Sequence, residues 1–181
     1  EINLDQSITS CEITLPMRNP LLWNAETPAL YTAAVTITDG TGGYLAGTRV
    51  RFGFRRFEKR DGLLLLNGKR VVFRGVNRHE WDPAKGRAID EAAIRRDIIA
   101  MKQNNVNAVR CSHYPNQSAF YRLCDEFGLY VIDETNLETH GTWMVRGEAV
   151  PSEKTLPGDN PAWKEAVLDR GRSMLERDKN H

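Results

Sequence analysis

In Val71-Val72-Phe73-Arg74-Gly75-Val76-Asn77-Arg78-His79-Glu80, an apolar run passes directly into polar and reactive side chains. The same transition recurs in residues 107–115 (NAVRCSHYP) and in residues 129–141 (LYVIDETNLETHG). Segments whose apolar residues follow helical spacing separate the three runs. In a (β/α) barrel the carboxyl ends of the parallel strands converge on one face, which holds the active site. The sequence therefore predicts part of such a barrel, with reactive side chains at three strand ends.

Length and charge limit what the chain can be. It has 181 residues, with 25 basic and 24 acidic side chains. Because a complete barrel typically needs about 250 residues, we expect an incomplete barrel joined to part of a second domain. The balanced charge predicts no nucleic-acid partner. No apolar stretch approaches the roughly 20 residues of a membrane span, so no membrane association is expected.

The cysteines and the first residues bear on the cellular compartment. Cys11, Cys111 and Cys124 are odd in number and widely spaced, which predicts neither a disulfide framework nor a metal-binding pair. We expect Cys111 and Cys124 to be buried as small apolar residues. Residues 1–5 lack the pattern of a signal peptide. Together these features favour the reducing cytoplasm.

Residues 1–57 carry strand signals and no helix signal. Tyr31, Ala33, Val35 and Ile37 alternate with polar residues, as in a half-buried strand, and a glycine-rich turn follows at residues 39–43. About four strands are expected here. The alternative interpretation is a complete β domain, but four strands are too few to form one. The count therefore favours the end of an antiparallel sandwich.

Residues 58–181 carry the alternating strand and helix signals of a parallel sheet. Two apolar runs flank Asn67-Gly68, a strong hairpin signal, and we expect the second arm to be the first barrel strand. One helix is predicted from the N-cap Asp90 to Asn104, and a second from about Gln117 to the terminator Gly128. A third follows Asn160-Pro161, with an apolar stripe of four residues: Trp163, Val167, Met174 and Leu175.

Glu138 and His140 are the candidate metal ligands. They stand two positions apart after the third strand, so an extended backbone points both to the same side. Carboxylate oxygen and imidazole nitrogen are ordinary metal ligands, although Mg²⁺ would need further oxygen ligands. A solvated acidic loop is the alternative.

His79, His113 and Arg110 are the candidate substrate-binding residues, and we expect the two histidines, Glu138 and His140 to line one pocket. Neutral imidazole both donates and accepts hydrogen bonds, which suits sugar hydroxyls. Arg110 could orient a nucleophilic carboxylate or form a structural ion pair.

Asp133 and Glu134 are adjacent strand residues that face opposite ways, so they cannot both address one substrate. Trp143 could stack on a sugar or pack the loop, and Cys111 is not expected to act as a nucleophile.

Four segments resemble the signature segments of the large bacterial β-galactosidases, in the second family of glycoside hydrolases. They are residues 19–31 (NPLLWNAETPALY), 74–80 (RGVNRHE), 104–116 (NNVNAVRCSHYPN) and 136–141 (NLETHG). The first resembles the immunoglobulin-like domain that precedes the catalytic barrel in that family. The resemblance runs in order over nearly the whole chain. It implies the end of an immunoglobulin-like β-sandwich (1–57) and the start of a (β/α)₈ TIM barrel (58–181).

The resemblance also implies a function. The expected activity is retaining hydrolysis of terminal β-galactosides such as lactose, with Mg²⁺ near the active site and a homo-oligomeric full-length parent. Glu138 and His140 match two Mg²⁺ ligands, His79 and His113 match residues that contact galactosyl hydroxyls, and Arg110 matches an arginine near the nucleophile. The Glu-Thr-His-Gly stretch favours galactoside over glucuronide.

The resemblance places the two catalytic glutamates of the family beyond this chain. The acid/base glutamate, also a metal ligand, follows the fourth barrel strand and the nucleophile lies near the seventh, whereas this chain ends at His181. Neither role is therefore assigned to any residue here, and the isolated chain is expected to be inactive. The alternatives are a family relative acting on β-glucuronides or β-mannosides, and a non-catalytic carbohydrate-binding module.

Overall fold

The computed structural model describes residues 10–158 and 160–181, and the sequence-based expectations for residues 1–9 lie outside this part of the chain. Strands β1 (Tyr31–Thr38) and β2 (Tyr44–Phe52) form an antiparallel two-stranded sheet. About four strands were expected, but residues 10–57 contain only these two before the next strand begins. The difference lies in residues 10–30, where three prolines (Pro16, Pro20 and Pro28) lack the N–H that a strand ladder requires.

A meander of three short antiparallel strands joins the two parts of the chain: β3 (Phe57–Arg60), β4 (Leu63–Leu66) and β5 (Lys69–Arg70). The predicted turn at Asn67-Gly68 is confirmed, and both residues have positive φ, at 53° and 78°. Such angles match the twist of a two-residue hairpin.

The prediction that the second hairpin arm is the first barrel strand is wrong. The arm pairs with β4, and the first parallel strand, β6 (Gly75–Arg78), begins several residues later. Asn107 explains the gap, because its side chain accepts from the N–H of Arg74 at 2.7 Å and donates to the carbonyl of Val72 at 3.0 Å. These backbone groups are therefore bonded to a side chain instead of a strand ladder.

The barrel segment consists of β6, β7 (Ala108–Cys111) and β8 (Tyr130–Ile132), in that order and parallel. Helices α1 (Glu91–Gln103) and α2 (Ser118–Phe127) connect them. The predicted parallel βα pattern is thus confirmed. The main apolar core comprises buried residues of these strands, helices and flanking loops: Ile89, Ala93, Ile94, Ile98, Val109, Cys111, Phe120, Tyr121, Leu123, Cys124 and Leu129.

The predicted helix ends are confirmed by their local chemistry. The Asp90 carboxylate accepts from the N–H of Ala93 at 2.8 Å and thereby caps α1. Gly128 ends α2 in the left-handed region at φ 76°. A Cβ atom on Gly128 would lie 2.4 Å from the carbonyl oxygen of Ala25, so glycine also permits the loop before β1 to approach the barrel segment.

A long loop follows β8 and contains the two-residue strands β9 (Met144–Val145) and β10 (Glu148–Ala149). Helix α3 (Lys164–Asp178) comes after a 3₁₀ turn at Pro161–Trp163. It has no fully buried residue, and Leu175 of the predicted apolar stripe is 57% exposed. No helix in the described part of the chain is long and apolar enough to cross a membrane.

Candidate functional site

A triangle of polar side chains joins the ends of β7 and β8. The Arg110 guanidinium lies 2.6 Å from Oε2 of Glu134, and Nδ1 of His113 lies 2.9 Å from Oε1 of the same carboxylate. Nδ1 of His113 is also 3.1 Å from Nη2 of Arg110, so this nitrogen either donates to Glu134 or accepts from Arg110. Both oxygens of Glu134 therefore lie within 2.9 Å of a nitrogen of a neighbouring side chain.

His79, at the end of β6, adjoins this triangle. Its ring centroid is 5.4 Å from that of His113, in an edge-on arrangement. The hydroxyl of Tyr114 lies 3.5 Å from Nδ1 of His79 and accepts from the N–H of Glu80 at 3.1 Å. All three parallel strands therefore contribute a side chain to one place.

Glu138 and His140 extend the same group of side chains into the long loop. Oε1 of Glu138 is 3.9 Å from Nδ1 of His113, and its Oε2 is 2.6 Å from Nδ1 of His140. Trp143 packs beside His140 with a centroid distance of 4.8 Å and donates from Nε1 to the Thr139 hydroxyl at 3.3 Å. These contacts favour the loop-packing role for Trp143. We call the whole set the strand-end cluster: His79, Arg110, His113, Glu134, Glu138 and His140.

The strand-end cluster lies on an open surface. The side chains of His113, Glu138 and His140 are 38%, 46% and 48% exposed. Three cavities in the described structure are lined by other residues. The predicted residues thus come together on an open surface, and the pocket expected around them is not among these three cavities. Three strands make an open sheet, whereas a barrel closes its mouth by adding further strands.

Asp133 and Glu134 both follow β8, and their side chains contact different partners. Asp133 accepts from the hydroxyl of the buried Tyr121 at 2.8 Å, and burial raises the pKa of its carboxyl. Glu134 instead contacts Arg110 and His113 and occupies the centre of the cluster, a place that the sequence did not predict for it. The signal that could have identified it is its position two residues beyond Ile132, the partner of Arg110 in the strand register.

Cys111 and Cys124 are buried free thiols, as predicted, whereas Cys11 is exposed. Burial raises the pKa of the Cys111 thiol to about 12, so little thiolate exists at neutral pH. This agrees with the expectation that Cys111 is not a nucleophile.

Two sets of ligand atoms in the cluster could face a cation. Glu138 and His140 offer one carboxylate oxygen and one imidazole nitrogen in contact, which fits a hydrated Mg²⁺ that keeps several water ligands. The ligand atoms of His113, Glu134 and Glu138 also lie within 4.8 Å of one another. There the Arg110 guanidinium already pairs with Glu134, and its positive charge opposes a second cation. The Glu138–His140 pair is the better fit.

Two family models cover almost the whole chain. Residues 57–181 match the TIM barrel domain of glycosyl hydrolases family 2, and residues 2–55 match a further model described as glycosyl hydrolases family 2. The predicted fold class, a sandwich segment followed by part of a TIM barrel, is confirmed.

Several known proteins are similar to this chain. A β-galactosidase of Priestia megaterium is 55% identical over 91% of the chain and 16% of its own length. A β-galactosidase of Clostridium acetobutylicum is 50% identical over 95% of the chain and 19% of its own length. The solved apo structure of a β-glucuronidase from Ruminococcus gnavus is 31% identical, with a TM-score of 0.76 over 90% of the chain and 26% of that structure.

The matched share of these proteins is small, since the chain spans less than a fifth of the length of the two β-galactosidases. The match to the barrel model nevertheless covers well over half of the chain, in the segment that carries the strand-end cluster. The resemblance noted in the sequence is thus confirmed, and the chain belongs to glycosyl hydrolase family 2.

Proposed function

We propose that this chain forms part of a retaining β-galactosidase that hydrolyses terminal β-galactosides such as lactose. The observation that carries the proposal is the strand-end cluster itself, where side chains after three parallel strands meet at the face that holds the active site in TIM barrels. Sequence identities of 55% and 50% to β-galactosidases of two organisms support a galactoside as the substrate.

His79 and His113 bind galactosyl hydroxyls in this proposal. Their imidazole rings are exposed enough to meet a ligand and offer both a donor and an acceptor. Arg110 neutralises Glu134 and presents a positive charge beside the sugar site. Glu134 is paired with Arg110 at 2.6 Å and lies against His113, so we assign it to the positioning of these residues and not to nucleophilic attack.

The acid/base and nucleophile carboxylates come from another part of the complete enzyme. A retaining glycosidase needs two carboxyl groups about 5 Å apart, one of which must be free to attack the sugar. Oxygens of Glu134 and Glu138 approach within 4.8 Å, yet Glu134 is tied up in an ion pair and Glu138 contacts His140. The chain therefore supplies binding and positioning, and the remainder of a longer polypeptide supplies the reacting groups.

Glu138 and His140 hold Mg²⁺ in this proposal. A bound Mg²⁺ supplies positive charge that stabilises neighbouring carboxylates and orients water. Within this chain, Glu138 positions His140 through a 2.6 Å contact and approaches His113 at 3.9 Å. The complete enzyme is proposed to be a cytoplasmic homo-oligomer.

The direct test is hydrolysis of nitrophenyl β-galactoside by the full-length enzyme, followed by NMR of the anomeric product. We expect turnover with the β-anomer formed first. As a matched pair, His113→Ala removes an imidazole of the cluster, whereas His181→Ala removes one that pairs with Asp125 at 2.6 Å, away from the cluster. Turnover that His181→Ala lowers as strongly as His113→Ala would contradict the assignment of the site.

A β-glucuronidase is the second candidate, because a solved β-glucuronidase shares the fold over most of the chain. Its sequence identity of 31% is well below the 55% of a β-galactosidase. Comparing kcat/KM for nitrophenyl β-galactoside and nitrophenyl β-glucuronide decides between the two, and a preference for the glucuronide would overturn our choice.

A further inference from the structure

Arg78 is a buried charged residue that directly precedes His79 of the strand-end cluster in the sequence. It ends β6, pairs in register with Cys111, and its side chain is only 6% exposed. Nε donates to Asp97 at 3.0 Å, Nη1 donates to the Asn116 amide oxygen at 2.7 Å, and the guanidinium packs over the Phe120 ring. Burying a guanidinium costs free energy that such contacts must offset, so its placement calls for a reason.

The partners of Arg78 converge on residues 112–117, the loop that carries His113. The carbonyl of Arg78 accepts from the N–H of Ser112 at 3.0 Å, while its guanidinium holds Asn116 at the other end of the loop. Asn116 is 1% exposed and donates from Nδ2 to the carbonyl of Tyr114 at 3.2 Å. One residue of β6 thus fixes both ends of this loop.

Glu80 adds two contacts to the same loop. It is 8% exposed, its Oε1 accepts from the N–H of Gln117 at 3.2 Å, and its own N–H donates to the Tyr114 hydroxyl at 3.1 Å. Oε1 of Glu80 lies 3.6 Å from Nη1 of Arg78, so the two buried charges compensate each other. His79 stands between them in the sequence and is exposed.

We propose that Arg78 and Glu80 are positioning residues that clamp the loop 112–117 and thereby set the distance between the imidazoles of His79 and His113. The inference rests on the proposed function only for its effect on turnover. The clamp acts because β6 carries His79 rigidly, and the same strand fixes the loop of His113 at both ends. Neither Arg78 nor Glu80 touches the substrate.

The guanidinium is the group whose geometry the clamp requires. Its fork reaches Asp97 and Asn116 at once, whereas the single ammonium of lysine cannot bond both in the same directions. Arg78→Lys therefore keeps a buried cation beside Glu80 and releases the loop. Arg122→Lys is the matched control, because Arg122 pairs with Glu91 at 2.8 Å on an exposed surface between α1 and α2.

The experiment measures amide hydrogen exchange and steady-state kinetics of the full-length enzyme. For Arg78→Lys we expect exchange at residues 112–117 to accelerate at least about tenfold while α1 and β7 keep their protection. The kcat for nitrophenyl β-galactoside should fall at least about tenfold with KM changed less than about threefold, since positioning acts in the transition state. Glu80→Gln keeps the acceptor for Gln117 and should show the same pattern more weakly.

Three results would overturn the clamp. Unchanged exchange at residues 112–117 shows that Arg78 does not hold the loop, and uniform loss of protection shows a purely structural role. Faster exchange at residues 112–117 with an unchanged kcat shows that turnover does not depend on how this loop is held. Failure of the unsubstituted enzyme to cleave the galactoside would instead refute the proposed function, and the exchange comparison would still test the clamp.

Discussion

The guanidinium of Arg110, in the second parallel strand, lies 2.6 Å from the carboxylate of Glu134, just beyond the third. This ion pair bridges neighbouring strand ends and also holds His113 through the other oxygen of Glu134. Its members are 35% and 24% exposed, so its net contribution to stability is about 1 kcal/mol or less. The main role of the ion pair is therefore to orient the side chains of the strand-end cluster.

Glu134→Gln should lower activity far more than stability. The amide removes the negative charge that fixes Arg110 and His113, so we expect kcat/KM for nitrophenyl β-galactoside to fall at least about tenfold. The thermal midpoint of the full-length enzyme should change little. Glu126→Gln is the control, because it breaks the exposed Arg51–Glu126 pair of 3.4 Å outside the cluster. Equal kinetic losses in the two variants would contradict the role of Glu134.

Glu138→Gln should weaken the response of the full-length enzyme to Mg²⁺. After treatment with a chelator, the Mg²⁺ concentration for half-maximal activity should rise at least about tenfold. Substitution of a residue that only contacts a metal ligand already lowers metal affinity by about this factor. Glu148→Gln removes an exposed carboxylate from the β9–β10 hairpin of the same loop and should leave this concentration unchanged. An unchanged Mg²⁺ response in Glu138→Gln would exclude Glu138 as a ligand.

The isolated chain should not hydrolyse nitrophenyl β-galactoside. Without a free nucleophile no glycosyl-enzyme can form, and without an acid the leaving group departs unprotonated. The purified chain is assayed beside the full-length enzyme at matched molar concentration. Robust turnover by the chain that Glu138→Gln abolishes would show that the catalytic carboxylates lie within it.

Gly128→Ala should destabilise the protein, whereas Gly171→Ala should not. A Cβ at Gly128 would lie 2.4 Å from the carbonyl oxygen of Ala25, at a φ of 76° that disfavours alanine. A Cβ at Gly171, within α3, meets nothing within 4 Å, and alanine there is favoured by about 1 kcal/mol. Thermal unfolding of the full-length enzyme should give a lower midpoint for the first variant only. Equal midpoints would show that the loop at Ala25 adapts without cost.

Cys11 should react with iodoacetamide at pH 8 while Cys111 and Cys124 do not. Cys11 is exposed, whereas burial raises the pKa of the other two thiols and so lowers their thiolate fraction at this pH. Mass spectrometry of peptides from the native protein measures the labelling, and the same reaction in guanidinium chloride should label all three. Native labelling of Cys111 at the rate of Cys11 would contradict the buried core.

Several local features follow from neighbouring residues in the sequence alone. The turn at Asn67-Gly68, the cap at Asp90 and the end of α2 at Gly128 follow from local backbone preferences. The alternation of apolar runs with helical segments predicted three parallel strands, although β6 begins only beyond the first run. Parallel strands bring their carboxyl ends to one edge. Most of the strand-end cluster followed from that rule.

The contacts between side chains of different elements could not be predicted from the sequence and were seen only in the folded structure. The register of β7 and β8 pairs Arg110 with Ile132, and Glu134, two residues further on, reaches the Arg110 guanidinium with its side chain at the centre of the cluster. The delayed start of β6 depends on Asn107, and the clamp joins Arg78 to Asn116 across 38 positions of sequence. Such contacts depend on register and on the direction of side chains between distant segments, and neither local propensity nor periodicity specifies them.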